Sequence, residues 1–414
     1  MESYNRIMKG VNSMQFGIDK TIITPKEPCY MAGYGRKNKS IGVLDDIEIN
    51  TFVLKMNGDS LIISVLDSIC LDESFCNEIR ITIANKFSLT TDSIVISCIH
   101  THSAPAFFPL SFEDTHTEPK LTEHTKMMMI ESIINAYNKT EECTVELFKT
   151  QIIDLYGNRN VYKGSEDKEV SLFKFTNKNN EIVGCLCNMS AHPTILNGSN
   201  FLLSSDLLGH IRHSIESKLN CKVVMTNGTC GDVSTRFYRK LSGIDELKDT
   251  TSKFMTQLNT ENDACQLLTG PIKHREISML SNFEGKNDPD LQVQMENLHD
   301  SNDPMRDFYI DRLNRKIGFG RYTLKLIGQV HLIGNVLVFA LPGDVLSAFG
   351  LKLKKAFPNN IVVNIGYSNT YCNYLVPKEE YGKYFETFNS RLAKGEADAF
   401  FNLLVETGNT IING

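Results

Sequence analysis

The stretch that most limits how this chain can fold is Ser93-Ile94-Val95-Ile96-Ser97-Cys98-Ile99-His100-Thr101-His102-Ser103-Ala104-Pro105. Its β-branched, apolar first half reads as a buried strand. Two histidines at i and i+2 follow at once, and a proline stops the run. Residues two apart in a strand share a face, so His100 and His102 are expected to point the same way at the strand's carboxyl end. One reading makes them hydrogen-bonded histidines that close a strand. The other makes them metal ligands, because α/β enzymes collect their chemistry at strand ends and neutral imidazole is the commonest metal ligand. The choice turns on whether distant segments supply partners.

The surrounding pattern is mixed α/β, with β-sheets flanked by helices. Alternating β-rich runs at 51–55 and 61–66 flank Asn57-Gly58-Asp59, a strong hairpin signal. Helical spacing covers 74–86, with Ser74 as the expected N-cap, and again 122–139. A second hairpin is predicted from 170–176 and 182–189, ending in Ser190-Ala191-His192-Pro193-Thr194. A helix at 206–219 and a strand at 222–225 lead into the glycine-punctuated loop Asn227 to Ser234. The strand 336–341 ends in Pro342-Gly343-Asp344, a helix spans 345–357, the strand 361–365 precedes a tyrosine-rich loop, and a terminal helix covers 393–407. No repeat is evident. Between 104 and 121 the residues Phe107, Phe108 and Phe112 either face an apolar ligand beside the histidines or fold onto the core. The polar segment 283–318 reads as an insertion or lid over the site, or more simply as a solvated surface excursion.

Composition narrows the partners. A net charge of −6 leaves no basic excess to hold a nucleic-acid backbone. No apolar run approaches the roughly 20 residues that span a bilayer, which leaves room for only transient contact with a membrane surface. Met1 to Arg6 has neither the apolar core nor the cleavage site of a signal peptide. Eleven scattered cysteines without a Cys-x-x-Cys pair point to reduced, mostly buried thiols in a cytoplasmic protein.

Several segments therefore end in polar, ligand-capable residues: His100/His102, His192, Asp232/Ser234, Asp344 and the Tyr371/Tyr374 loop. Two histidines, a carboxylate and an open position form a catalytic zinc set. Zinc lowers the pKa of water to about 7 and polarises a carbonyl.

These stretches resemble the catalytic domain of neutral ceramidases, zinc-dependent amidases that split ceramide into sphingosine and a fatty acid. The resemblance runs in order from about Phe16 to Phe401. It includes Gly33-Tyr34, His100-Thr101-His102-Ser103, Asn158-Arg159, His192-Pro193-Thr194, Ser205-Asp206, Asn227-Gly228 with Gly231-Asp232-Val233-Ser234, Leu341-Pro342-Gly343-Asp344, Asn369-x-Tyr371-x-x-Tyr374 and Glu379-Glu380-Tyr381. It implies one ceramidase-like catalytic domain over 1–414. It further implies that His100, His192, Asp344 and Tyr374 are zinc ligands, with His102 and Arg159 holding the attacking water and the developing oxyanion. Ser234 matches a serine that has been treated as a nucleophile, and Asp232 and Tyr371 fall at substrate-binding positions. The implied substrate is a small-molecule N-acyl lipid.

Four departures stand out. Asp344 replaces a glutamate, so its carboxylate is one methylene shorter. Ala104 replaces a glycine, Phe385-Glu386 stands for Tyr-Glu, and no β-sandwich domain follows. Two alternatives stay open: hydrolysis of another N-acyl or ester substrate, and a catalytically silent relative that binds a lipid or a partner.

Overall fold

Asn57 and Gly58 both take positive φ (55° and 91°), the conformation of a tight two-residue hairpin turn. The turn joins two strands of a meander: β1 (Met14–Ile22), β2 (Glu48–Met56) and β3 (Asp59–Leu66) pair antiparallel in sequence. Helix α1 (Glu73–Phe87) then crosses back, so that β4 (Ile94–Cys98) pairs parallel with β3. A parallel pair needs such a crossover, and strands covered on both faces carry near-continuous apolar runs. Every residue of β4 is buried accordingly. The N-cap of α1 is Asp72 rather than Ser74, its carboxylate accepting from the Ser74 and Phe75 amides at 2.8 and 3.2 Å. This computed structural model describes residues 14–414 except 114, 115, 266, 268, 269 and 300. The Met1–Arg6 stretch read above for a leader lies outside the described residues.

The same order of elements recurs twice. After helix α2 (Pro119–Asn138), strands β5 (Glu141–Gln151), β6 (Glu169–Asn177) and β7 (Ile182–Met189) form a second meander. Helix α3 (Asp206–Leu219) carries the chain to β8 (Val223–Asn227), parallel to β7. Helix α4 (Gly243–Gln257) packs on α3. The third unit starts with β9 (Ile272–Phe283) and holds helices α5 (Pro289–His299) and α6 (Arg306–Gly318) before β10 (Tyr322–Ile333). It continues with β11 (Val336–Ala340), helix α7 (Ser347–Ala356) and β12 (Ile361–Ile365), the last parallel to β11. Helix α8 (Glu396–Asn413) lies on β9 and β10. The described residues thus form three meander–helix–strand units, a repetition that the side chains do not advertise.

Two features of pairing position the site. The first two units share one sheet, but β1 and β5 join through only Gln15↔Glu142 and Phe16↔Glu141. The halves face each other across Phe16, Phe52 and Phe175, with Phe16 stacked on Phe175 at 4.2 Å. The final strands of all three units meet at their carboxyl ends. Gly366 N–H donates to Asn227 O at 2.8 Å, Asn369 N–H to Ile96 O at 2.7 Å, and Asn227 Nδ2 to Ile99 O at 3.0 Å. The β9–β10 hairpin runs past this meeting point, because Gln329 lies opposite Ala340 and pairing continues to Tyr322↔Phe283. The polar 283–318 segment is therefore an insertion of two helices carried out over the strand ends. Of the aromatics after the histidines, Phe107 and Phe108 are core residues, whereas Phe112 lines a cleft beneath the insertion.

Candidate active site

Strand β4 stops at Cys98, and His100 takes φ 71°. That left-handed residue breaks the pleat, so strand alternation does not explain why the two imidazoles meet. A turn does, pinned by His100 N–H donating to Ser68 O at 2.9 Å. The Nε2 atoms of His100 and His102 end 3.2 Å apart. Gly33 lets His102 in: at φ 81° it needs no side chain, and a Cβ there would stand 2.8 Å from His102 Nδ1.

His192 comes from the loop after β7, its amide donating to Val233 O at 2.9 Å. Asp344 comes from the loop after β11 and pairs with Tyr374 in a two-residue parallel ladder. Asp344 Oδ1 lies 3.1 Å from His100 Nε2 and 3.4 Å from His192 Nε2. The nitrogens of His100, His102 and His192 all fall within 4.8 Å of one another. Metal–nitrogen and metal–oxygen bonds of about 2.0–2.1 Å give a tetrahedron with edges of about 3.3 Å. The two aspartate–histidine separations match that edge, so the aspartate reaches despite its missing methylene.

The outer contacts fix the tautomers. His192 Nδ1 donates to Cys230 O at 2.6 Å and His100 Nδ1 to the Ile69 carbonyl, leaving both Nε2 lone pairs directed at the common centre. His192 Nε2 is buried without a hydrogen-bond partner. Burial pushes all three histidines below their ordinary pKa, so they stand neutral, the form that binds a cation. An unsatisfied buried nitrogen, neutral imidazoles and a carboxylate at ligand spacing fit a divalent transition metal.

Asp344 is held in turn by two tyrosines. Tyr367 donates to Oδ1 at 2.8 Å and stacks on His100 at 4.2 Å between ring centroids, and Tyr371 donates to Oδ2. Tyr371 was expected at the substrate, yet its hydroxyl is spent on Asp344. Tyr367 was not anticipated at all. Its only sequence signal is a place in a tyrosine-rich loop. Tyr374 accepts from Arg159 Nη2 at 3.1 Å, its ring parallel to His192. Burial raises its pKa while the guanidinium opposes. Arg159 reaches the centre because Gly157–Asn158 pairs with Val233–Ser234. Its Nε donates to Glu386 at 2.7 Å, a second partner not assigned from sequence. Burial alone would lower its pKa, but Tyr374 and Glu386 outweigh this and keep it charged.

The cleft above the centre measures about 1140 Å³ and is lined by His102, Arg159, His192, Ser234 and Tyr374, with Phe112, Met305, Phe308 and Phe385 on its apolar side. Asp232 does not line it. Its carboxylate takes Asn158 Nδ2 at 2.8 Å, Ser347 N–H at 2.7 Å and Ser347 Oγ at 2.9 Å, and burial pushes its pKa up to about 7. These bonds brace the second unit against the third at the residue expected to bind substrate. Ser234 Oγ accepts the Arg236 amide at 3.2 Å, and among the described residues no imidazole, carboxylate or amine lies within hydrogen-bond reach to activate it. His210 and His213 of α3 pair with Asp45 and Glu48 at 3.0 Å each.

Among solved structures the chain resembles the neutral ceramidase of Pseudomonas aeruginosa, with 17% identity, a TM-score of 0.77, and coverage of 96% of this chain and 74% of that one. It also resembles a ceramidase complexed with C2, with 15% identity, a TM-score of 0.78, and coverage of 97% and 76%. Both likenesses establish the fold. The family model for neutral/alkaline non-lysosomal ceramidases, N-terminal region, matches residues 15–236. With three histidines gathered in that match and the fold shared over nearly its full length, the chain belongs to the neutral/alkaline non-lysosomal ceramidase family and is an amide-bond hydrolase.

Proposed function

We propose that the chain is a zinc-dependent amidohydrolase cleaving a linear N-acyl amide of the ceramide kind. The observation that carries this reading is that Asp344 Oδ1 lies 3.1 and 3.4 Å from the Nε2 atoms of His100 and His192, buried donors drawn from three distant segments. His100, His192, Asp344 and Tyr374 would hold the metal, with Tyr367 and Tyr371 orienting the carboxylate. Zinc supplies Lewis acidity and, by lowering the pKa of water to about 7, a nucleophile at neutral pH. His102, kept neutral by burial, accepts a hydrogen bond from the attacking water. Arg159 donates to the carbonyl oxygen as negative charge develops there, an interaction stronger in the transition state than in the bound substrate. Ser234, without a base, orients the substrate. The α5–α6 insertion acts as the lid, its Met305 and Phe308 meeting Phe112 and Phe385 around the acyl chain. Among the described residues no helix is long and apolar enough to cross a membrane. All eleven cysteines are free thiols, which supports a place in the cytoplasm.

Zinc analysis with an N-acyl amide assay tests the proposal. The purified protein is expected to hold one zinc and to hydrolyse the amide, while His100→Ala and His192→Ala lose both. A folded wild-type protein that binds no zinc at micromolar concentration overturns it.

A further inference from the structure

The cleft collects positive charge in a chain that is acidic overall. Its walls bring Lys37, Arg159, Arg236, Arg239, Arg312 and Arg315 together with only Glu113, Asp303 and Asp311. Half of the cations are already matched. Arg159 pairs with Glu386, Arg315 pairs with Asp311 at 3.1 Å along α6, and Arg312 sits over Phe308 at 4.7 Å within the field of Glu113. Asp303 spends an oxygen on the Met305 amide at 2.7 Å.

Lys37, Arg236 and Arg239 remain, and among the described residues none of them makes an ion pair. Arg239 reaches only the Thr194 carbonyl, at 3.4 Å, and Arg236 lies beside the Phe237 ring at 5.8 Å. All three are tied to site segments: Arg236 is two residues past Ser234, Arg239 touches the segment after His192, and Lys37 follows the Gly33 turn that seats His102. The apolar residues Phe112, Met305, Phe308 and Phe385 belong to other elements, joined by the stacked Phe308–Phe385 pair. The cleft therefore combines aromatic residues suited to an acyl chain with unpaired cations suited to an anionic group.

We infer that the amine half of the substrate carries an anionic group, a carboxylate, sulfonate or phosphate, held by Arg236, Arg239 and Lys37. This rests on the amidohydrolase reading above and puts an acidic head where ceramide itself has an uncharged amine half. Guanidinium groups match such oxyanions through paired N–H donors, and a cleft lined by one sign of charge concentrates ligands of the other.

The test uses one acyl chain on four amines: N-dodecanoylglycine, N-dodecanoyltaurine, N-dodecanoyl phosphoethanolamine and neutral N-dodecanoylethanolamine. The zinc-loaded enzyme is expected to show kcat/KM at least about tenfold higher for one of the anionic amides than for the neutral one, the best of the three naming the acid. Raising salt from about 0.05 to about 0.5 M should shrink that ratio, as screening requires. In Arg236→Gln/Arg239→Gln the ratio should fall toward one, mainly through KM. Equal rates for neutral and anionic amides, or a ratio unmoved by the double substitution, overturn the proposal. If no amide is cleaved, the catalytic reading fails separately. Calorimetric binding of the same four compounds then decides the charge preference, with a Kd about tenfold lower for an anionic amide supporting it and equal values refuting it.

Discussion

At the scale of single residues, the proposed metal-holding geometry depends on groups that would never touch the metal. The Tyr367 hydroxyl restrains Asp344 Oδ1, the oxygen nearest both histidines, and its ring supports His100. Outer partners of this kind commonly carry about 10–100-fold of metal affinity. Tyr367→Phe keeps the stacked ring and removes only the donor, so zinc affinity should fall by about that factor in a chelator competition, with the fold intact. Unchanged affinity would mean that Asp344 does not need the bond. The shorter aspartate makes a second prediction. Asp344 is fully buried and its oxygen already sits at the tetrahedral edge. Asp344→Glu inserts a methylene into a filled site, at a cost of about 1–3 kcal/mol, and should weaken zinc binding about tenfold or more by the same titration. His100, His102 and His192 could be picked out in sequence because each closes an apolar run before a proline. Tyr367 could not, since a tyrosine in a loop carries no periodic signal, and Glu386 stood out only as half of Phe385-Glu386, with no partner assigned to it.

At the scale of elements, the insertion between β9 and β10 was legible as a break in strand character but not as a pair of helices, because its few apolar positions are spent on a small cluster. Leu291, Leu298 and Leu313 pack with Phe283 and Phe388 there. Its least expected member is Lys316, fully buried on α6, with Nζ 3.4 Å from both the Tyr381 hydroxyl and the Thr387 carbonyl. Burial pushes its pKa down to about 7. A lysine lowered on folding binds fewer protons folded than unfolded between about pH 7 and pH 10.4, so its contribution to stability rises with pH across that window and is lost as pH falls through about 7. Lys316→Met should therefore stabilise the protein at pH 7 by at most roughly 5 kcal/mol, the advantage shrinking toward pH 10. Denaturant unfolding of variant and wild type side by side isolates the effect. The comparison must be a difference because the buried thiols, raised on folding, give an opposing slope above about pH 8.5. An advantage that stays constant with pH would show that Lys316 does not titrate in the window.

At the scale of the whole molecule, the site exists because three units of one topology bring their last strands together end to end. Most strands and helices were readable from apolar period and turn residues, yet the threefold plan was not, since it resides in pairing order while the three sets of side chains differ. Its first set ends in His100 and His102, its second carries His192, and its third carries Asp344 and Tyr374. Asn227 is the residue where the units are sewn together. Its Nδ2 donates to the carbonyls of Ile99 and Ala191 at 3.0 and 3.1 Å, its Oδ1 accepts from the Ala191 amide, and its own carbonyl takes Gly366 N–H. Ile99 and Ala191 immediately precede His100 and His192, so one side chain sets the spacing of two proposed ligands without entering the cleft. In Asn227→Ala those buried backbone groups lose their partner, at about 1–3 kcal/mol for each left unsatisfied. The variant should unfold at lower denaturant and, where still folded, bind zinc at least about tenfold more weakly, because ligand spacing and unit docking depend on the same contacts. Zinc titration below the unfolding transition separates the two effects. Native-like zinc affinity in a folded but destabilised Asn227→Ala protein would show that each unit presents its ligands independently, and that their convergence does not depend on this junction.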